Sequence, residues 1–334
     1  MRELRIIAFT QRGFALAHRL GSALPARVSR CGQPLSLAQW TKQAFSFADG
    51  LIFVGAAGIA VRAIAPHLKS KDTDPAVVVL DEKGRYVIPI LSGHLGGANA
   101  LAREIAALTG GEAVLTTATD VNGVFAIDDW ARGQGMSVSS PAAIRRISST
   151  LLEGGEISVS SDWYISGTPP RGVAVEVDDE STDVRITLSP GGGEALYLVP
   201  RIVVLGVGCK KGVSRGQLEA AFLSLMRETQ IAPQAVCRVC SIDLKRQEEG
   251  LQAFCSARRL PLETFSAHTL SRMEGAFESS DFVHSVTGVD NVCQRSALAG
   301  SRGGRLLTGK RVFPQVTMAL AARPFYPTWR TEHE

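Results

Sequence analysis

Residues 50–66 read Gly50-Leu-Ile-Phe-Val-Gly55-Ala-Ala-Gly58-Ile-Ala-Val-Arg62-Ala-Ile-Ala-Pro66. A short apolar run, a glycine-rich turn and a helical pattern describe a buried strand feeding a helix. The same alternation extends outward. Strands are predicted at 4–10, 50–55, 76–80, 86–91 and 113–117, and helices at about 12–20, 58–68, 97–109 and 124–132. Such alternation is the signature of an α/β layered sheet with mostly parallel strands. Asp81-Glu82-Lys83-Gly84 is a turn between two strand-like runs, so a local hairpin is expected to interrupt the parallel order.

The pattern changes at about residue 133. After a helix starting near Ser140-Pro141, short alternating runs at 157–161, 173–177 and 184–188 are separated by turn-rich stretches such as Ser189-Pro-Gly-Gly-Gly193. From Arg201 the α/β pattern resumes with Ile202-Val-Val-Leu205, a glycine loop, and a helix whose start, Ser214-Arg-Gly-Gln217, fits a capping box. Further strands are expected at 235–242, 261–265, 306–312 and 316–321, with helices near 246–258, 267–274 and 290–299. The predicted fold class is α/β, two α/β domains (1–132 and 201–325) flanking a small β-rich middle segment (133–200). The tail from Arg323, with 326–334 outside any domain, is expected to be loose. A length of 334 residues suits about two domains, or three if one is small.

Composition narrows the function classes. Hydrophobic residues make up 45% and charged residues 20%, which excludes bulk disorder. No uncharged run reaches the ~18–20 apolar residues of a membrane helix, and the charged N-terminus lacks a signal peptide's apolar region, so a cytoplasmic, non-membrane protein is expected. Six cysteines in such a chain are read as reduced thiols. Cys237-Arg-Val-Cys240 is the one close pair, and without a second pair of ligands it argues against zinc. The net charge of +4 permits anionic partners, but the basic residues are scattered and no nucleic-acid module appears.

In open α/β sheets ligands bind beyond the carboxyl ends of the strands, so the strand-to-helix turns are the candidate sites. Four are collected in the first domain: Thr10 to Gly13 with the cation Arg12; Gly55 to Gly58; Ser92-Gly93-His94-Leu-Gly96-Gly97-Ala-Asn99; and Thr116-Thr117-Ala-Thr119-Asp120. The third sets glycines, a histidine and an amide at a helix start, where free N–H groups favour negative charge. In the C-terminal domain, Gly206-Val-Gly208-Cys209-Lys210-Lys211-Gly212 fits neither nucleotide motif. GxGxxG would need glycine at Lys211, and GxxxxGK[ST] has no frame here. What remains is a turn with two ammonium groups before a helix. Asp243 and Lys245 lie at another strand end, and glycine recurs at Gly288.

Together these strings resemble the cobalt-precorrin-5A hydrolases of cobalamin biosynthesis. The likeness rests on Gly58 to Pro66, Asp74-Pro75-Ala-Val-Val-Val, Leu91 to Asn99 and Thr116 to Asp120, then Gly206 to Gly212, Ser241-Ile-Asp243-Leu-Lys245, Thr287-Gly288-Val289 and the hairpin around Lys310 and Thr317. One departure is Gln294, where the family pattern commonly has Glu; it argues against an acid/base role there.

The resemblance implies a hydrolase acting on a cobalt-bearing, ring-contracted tetrapyrrole, whose lactone is opened and whose former bridging carbon leaves with its methyl group as acetaldehyde. The cobalt belongs to the substrate, so no cofactor and no protein-held metal are expected. Neighbouring pathway enzymes are the further partners it allows. The macrocycle carries many carboxylates, so a groove lined by Arg12, Arg62, Lys210, Lys211 and Lys245 would attract it. His94 suits the base that activates water, the N–H groups of Gly96 and Gly97 suit the oxyanion, and Asp120 or Asp243 suits the later proton transfer. A non-catalytic carrier of corrinoid intermediates is the competing reading.

Overall fold

Gly50–Val54 and Ala76–Leu80 are buried at every residue, as strands covered on both faces must be. In the computed structural model, which describes residues 3–70, 73–93, 96–138, 140–176, 182–279, 285 and 287–330, they lie centrally in a six-stranded sheet. The elements there are β1 (Leu4–Ala8), α1 (Gln11–Ala23), β2 (Arg27–Arg30), α2 (Leu37–Phe47), β3 (Gly50–Val54), α3 (Ala57–Ile64), β4 (Ala76–Leu80), β5 (Tyr86–Leu91), α4 (Ala98–Thr109), β6 (Glu112–Ala113), α5 (Ala118–Val121) and α6 (Ile127–Gly133). The strand order is β2-β1-β3-β4-β5-β6. One core packs Ile6, Ile52, Val54 and Val78 with Leu101 and Ile105; the other face packs Ile7, Phe53 and Val79 with Trp40 and Ile64.

β1, β2, β3 and β4 run parallel, but β5 is antiparallel to β4, with Val77 opposite Leu91 and Leu80 opposite Val87. β6 is parallel to β5. The hairpin therefore reverses the sheet. Turns that follow β1 and β3 leave one edge, while turns that follow β5 and β6 leave the other.

β2 and α2 were not expected. Arg-Val-Ser-Arg lacks apolar alternation because β2 is an edge strand, whereas α2 carried a legible signal, the Ser36–Gln39 capping box. The 113–117 strand shrinks to β6, which pairs with β5 over only two residues.

A second sheet, ordered β7-β11-β10-β8-β9, comprises β7 (Met136–Val138), β8 (Ile157–Ser161), β9 (Val173–Val175), β10 (Val184–Ile186) and β11 (Leu196–Pro200). α7 (Pro141–Leu152) lies between β7 and β8 in the chain. The third sheet, β14-β13-β12-β17-β15 with β16 on β17, belongs to the series β12 (Val203–Cys209), α8 (Arg215–Thr229), β13 (Val236–Ile242), α9 (Glu249–Ala257), β14 (Leu262–Phe265), α10 (Ala267–Ser271), α11 (Val292–Ser301), β15 (Arg305–Leu306), β16 (Arg311–Phe313) and β17 (Val316–Ala322). The strand expected at 306–312 is thus two short ones. The class is α/β.

The chain divides into two units, Met1–Arg132 with Ile144–Glu156, and Gly133–Ala143 with Ile157–Glu334. Of the stretch 133–200, residues 144–156 group with the first unit and the remainder shares a unit with the C-terminal sheet. The expectation of a loose tail is corrected for its described part. Thr328 bridges Ser166, its N–H donates to Gln134 Oε1 at 3.0 Å, and Trp329 is buried.

In the C-terminal sheet α11 lies directly on β12. A Cβ on Gly206 would fall inside the Cys293 carbonyl oxygen and 2.8 Å from Ala297 N, and one on Gly300 would overlap Cys240 Sγ. Ser296 Oγ donates to Cys240 O at 3.2 Å, and Ser241 Oγ donates to Val207 O at 2.7 Å. Gly206→Ala must displace backbone, not a flexible side chain. It is expected to lower the unfolding free energy by about 3 kcal/mol, measured by denaturant titration of the full chain; a loss under ~0.5 kcal/mol would mean the helix can lift away.

Candidate functional site

In the first unit the reversal at β5 separates the four turns. Thr10 caps α1, its Oγ1 accepting from Gly13 N at 3.1 Å and donating to Glu82 Oε1 at 2.7 Å, and this places exposed Arg12 at the carboxyl edge of β1. Gly55 and Gly58 occupy the same edge, after β3. A Cβ on Gly55 would meet the Phe9 ring at 2.7 Å, whereas one on Gly58 meets nothing within 4 Å. Gly55 has a packing reason to be glycine; Gly58 has none among the described residues. Arg62 is exposed on α3.

Ser92, Gly93, Gly96, Gly97, Asn99, Thr116, Thr117 and Asp120 lie at the opposite edge, beside the start of β4. Five residues of strand, about 16 Å, separate the two groups. The four strand-to-helix turns are thus split between the two edges by the antiparallel pairing of β4 and β5. His94 lies outside the described residues. Its neighbours are held tightly: Ser92 Oγ donates to Asp74 O at 2.9 Å, and Ala98 and Asn99 donate their N–H groups to Ser92 O and Gly93 O at 3.1 and 2.9 Å. A Cβ on Gly93 would approach Asn99 Oδ1 to 2.8 Å, and Gly97, at φ +84°, abuts the Arg132 guanidinium. Asp74 itself accepts from Lys69 N at 3.0 Å.

Asn99, 2% exposed, donates through Nδ2 to Thr117 Oγ1 at 3.1 Å and to Asp120 Oδ2 at 2.9 Å. Asp120 also pairs with Arg103, one turn along α4, and Asp129 pairs with Arg132 at 2.6 Å and faces Arg103 at 3.8 Å. This network ties the ends of β5 and β6 to α4 and α6. Arg103 and Asp129 were missed by the sequence reading, although Asn99 and Arg103 stand at helical i, i+4 spacing.

In the second unit, β12 and β13 end beside the start of β17, with Cys209 opposite Val316. A cavity of about 1330 Å³ opens there, larger than the ~300–1,000 Å³ usual for drug-sized ligands. Its lining brings together Gly208, Lys210, Lys211, Gly212 and Lys245 with two side chains of the C-terminal hairpin, Lys310 and Thr317. Leu244 and Val312, 66% and 72% exposed, form apolar lips, and Val213, Phe313 and Val316 line it further in.

Gly208 is glycine because a Cβ would sit 2.6 Å from Thr317 Oγ1. Gly206 lies beneath α11 and serves packing, and Gly288, at φ +72°, stands beside the lining residue Thr287. Asp243 is absent from the lining: its Oδ1 accepts from Arg246 Nη2 and Thr264 Oγ1, both at 2.7 Å. Gln294 is buried, and its Oε1 accepts from Glu278 N at 3.2 Å and from Asn291 Nδ2, so the position orders the start of α11.

Among the described residues, Lys210, Lys211 and Lys310 make no ion pair, whereas Lys245 Nζ bonds Glu248 Oε2 at 3.0 Å. Burial acts to raise the pKa of Glu248, but hydrogen bonds from Lys245 and the Gly212 N–H, with the charges of Lys245 and Lys211, outweigh it and leave it low. The Arg295 hydrogen bond holds Asp290, another lining residue, below the usual carboxylate range. Burial pushes the two lining thiols, Cys209 and Cys293, up to about 11, so both are protonated at neutral pH and poor nucleophiles. Among the described residues no cluster of three or more His, Cys, Asp or Glu side chains could hold a metal ion, and no helix is long and apolar enough to cross a membrane.

Residues 39–120 match the family model described as cobalamin synthesis G N-terminal, and residues 203–321 match cobalamin synthesis G C-terminus. A cobalt-precorrin-5A hydrolase of Salmonella typhimurium is 34% identical, over 90% of this chain and 92% of its own. One of Priestia megaterium is 31% identical, over 84% of this chain and 80% of its own. Protein CobE of a Sinorhizobium species is 27% identical over 121 residues, 36% of this chain and 79% of its own. Both family models match in chain order, and identity of 31–34% to proteins of one activity extends over most of the chain, which belongs to the cobalt-precorrin-5A hydrolase family.

Proposed function

We propose that this hydrolase of cobalamin biosynthesis opens the lactone of cobalt-precorrin-5A and releases acetaldehyde to give cobalt-precorrin-5B, with the tetrapyrrole seated in the second unit's cavity. The observation that carries the seating is the combination of an apolar-lipped cavity with three lysines that make no ion pair among the described residues. A polycarboxylate macrocycle offers apolar surface and peripheral anions, and ammonium groups without carboxylate partners retain their attraction for it. The cobalt arrives with the substrate.

Water must be activated to attack the lactone carbonyl, breaking the ring C–O bond to leave a carboxylate and an alcohol; the alcohol then loses its proton as its carbon becomes a carbonyl, the carbon–carbon bond breaks with its electron pair left on the macrocycle, and the two-carbon unit departs as acetaldehyde. His94 is our proposed base. Both carboxylates considered for proton transfer are already engaged, Asp120 by Asn99 and Arg103, and Asp243 by Arg246 and Thr264. Asp120 is then a clamp on the His94 loop, a role that the Asn99 bond supports. Gly96 and Gly97 stay as proposed oxyanion donors. Arg12, Gly55, Gly58 and Arg62, at the other sheet edge or on α3, are proposed as peripheral contacts only.

Incubation with cobalt-precorrin-5A should release one acetaldehyde per substrate. Binding without release would favour the carrier reading. Lys210→Ala with Lys211→Ala should raise KM and flatten its dependence on ionic strength, since exposed charges are screened by salt; an unchanged KM at low salt would remove the loop from substrate binding. His94→Asn should bind substrate normally and melt normally while turning over about a hundredfold more slowly, the usual scale of general-base loss. Weak binding with intact turnover would make His94 a ligand-orienting residue.

A further inference from the structure

A carboxylate in the wall of an anion site weakens that site, so its presence there needs a reason. Glu248 lines the cavity with a side chain only 10% exposed. It stands at the N-cap position of α9, yet its side chain makes no capping bond to its own helix. Both oxygens reach back instead: Oε1 accepts from the Gly212 N–H at 2.8 Å, and Oε2 from Lys245 Nζ at 3.0 Å. Gly212, at φ +78° and with open space where a Cβ would stand, is the residue on which the Lys210-Lys211 turn closes. α9 comes this near because Gly250 lets its first turn lie against the Val213 carbonyl.

We infer that Glu248 is a positioning residue for substrate: its carboxylate latches the Lys210-Lys211-Gly212 turn to the first turn of α9 and neutralises Lys245, leaving Lys210, Lys211 and Lys310 to face the anionic groups of the ligand. The inference rests on the seating of the tetrapyrrole in this cavity. The latch spends one favourable charge to fix two others. Without it, a glycine turn carrying two flexible side chains must be ordered each time ligand binds, and that ordering weakens affinity.

The test compares Glu248→Ala with Glu248→Gln in the full chain. The amide keeps an oxygen for the Gly212 N–H but frees the Lys245 charge; alanine loses both functions. Hydrogen exchange of the peptide 209–214, read without ligand, should quicken tenfold or more in Glu248→Ala and stay within about twofold of wild type in Glu248→Gln. KM for cobalt-precorrin-5A should rise at least fivefold at physiological salt for the alanine variant, with kcat within about twofold. For the glutamine variant KM at low salt should fall below the wild-type value. Unchanged exchange in Glu248→Ala overturns the latch. Faster exchange with an unmoved KM leaves the latch standing but overturns its role toward substrate, and if Lys210→Ala with Lys211→Ala also leaves KM unmoved, the seating itself fails. Should Glu248→Ala not fold, Glu248→Gln decides alone: a higher KM at low salt contradicts the inference.

Discussion

Backbone contact between α11 and β12, made possible by Gly206 and Gly300, is the constraint from which the second unit's cavity follows. Neither position can take a Cβ without displacing the Cys293 carbonyl or the Cys240 thiol. With the helix pressed onto the sheet, its first turn is fixed over the end of β12, and Asn291 caps it by accepting from Gln294 N at 2.9 Å. Asp290, Asn291 and Cys293 then form one wall of the cavity, and the antiparallel pairing of β17 with β12 supplies Thr317 from another. The glycines of the Gly206–Gly212 loop thus divide: Gly206 and Gly208 admit neighbouring atoms of the chain itself, while Gly212 shapes the turn.

In the first unit the decisive event is the β4–β5 hairpin. A fully parallel sheet would gather every strand-to-helix turn along one edge, as the general rule for such sheets has it. One reversal sends the loops after β5 and β6 to the far edge. The network from Asn99 through Asp120 and Arg103 to Asp129 and Arg132 then fixes that edge. Paired charges of this kind, half removed from water, cost more to break singly than to keep, which suits a clamp on a loop better than a proton shuttle.

Much of this was legible. Continuous apolar runs located β3 and β4 because strands buried on both faces have no polar positions, and the capping box at Ser214 located α8. The turn residues Asp81–Gly84 mark the hairpin, but the edge from which each later loop leaves depends on the pairing of β5 with β4, which no local pattern carries. β2 escaped because two of its four residues are arginines on an edge strand. The cavity was half visible: Lys210, Lys211 and Lys245 stood at strand ends, and Lys310 and Thr317 entered through resemblance alone. Glu248 could not be found, since its partner Gly212 lies 36 residues away and the contact exists only once Gly250 has docked α9. Asp243 stands at a strand end and has a proton-transfer role only through the chemistry that the resemblance implies, yet Thr264 on β14 and Arg246 both bond its Oδ1.

The chemistry that these contacts permit is governed by which charges are already spent. Lys245 is matched by Glu248 and Asp290 by Arg295, and the cavity thiols are held protonated by burial. What is left for a ligand is Lys210, Lys211 and Lys310 with apolar side chains around them, and one carboxylate, Glu249, that makes no ion pair among the described residues. Hydrogen exchange of the full chain with and without a cobalt corrinoid polycarboxylate, followed peptide by peptide, tests this most directly. Slower exchange in the segments 208–214, 287–294 and 310–317 is the expected result. Ligand binding that leaves all three unchanged would contradict the seating of the substrate in this cavity.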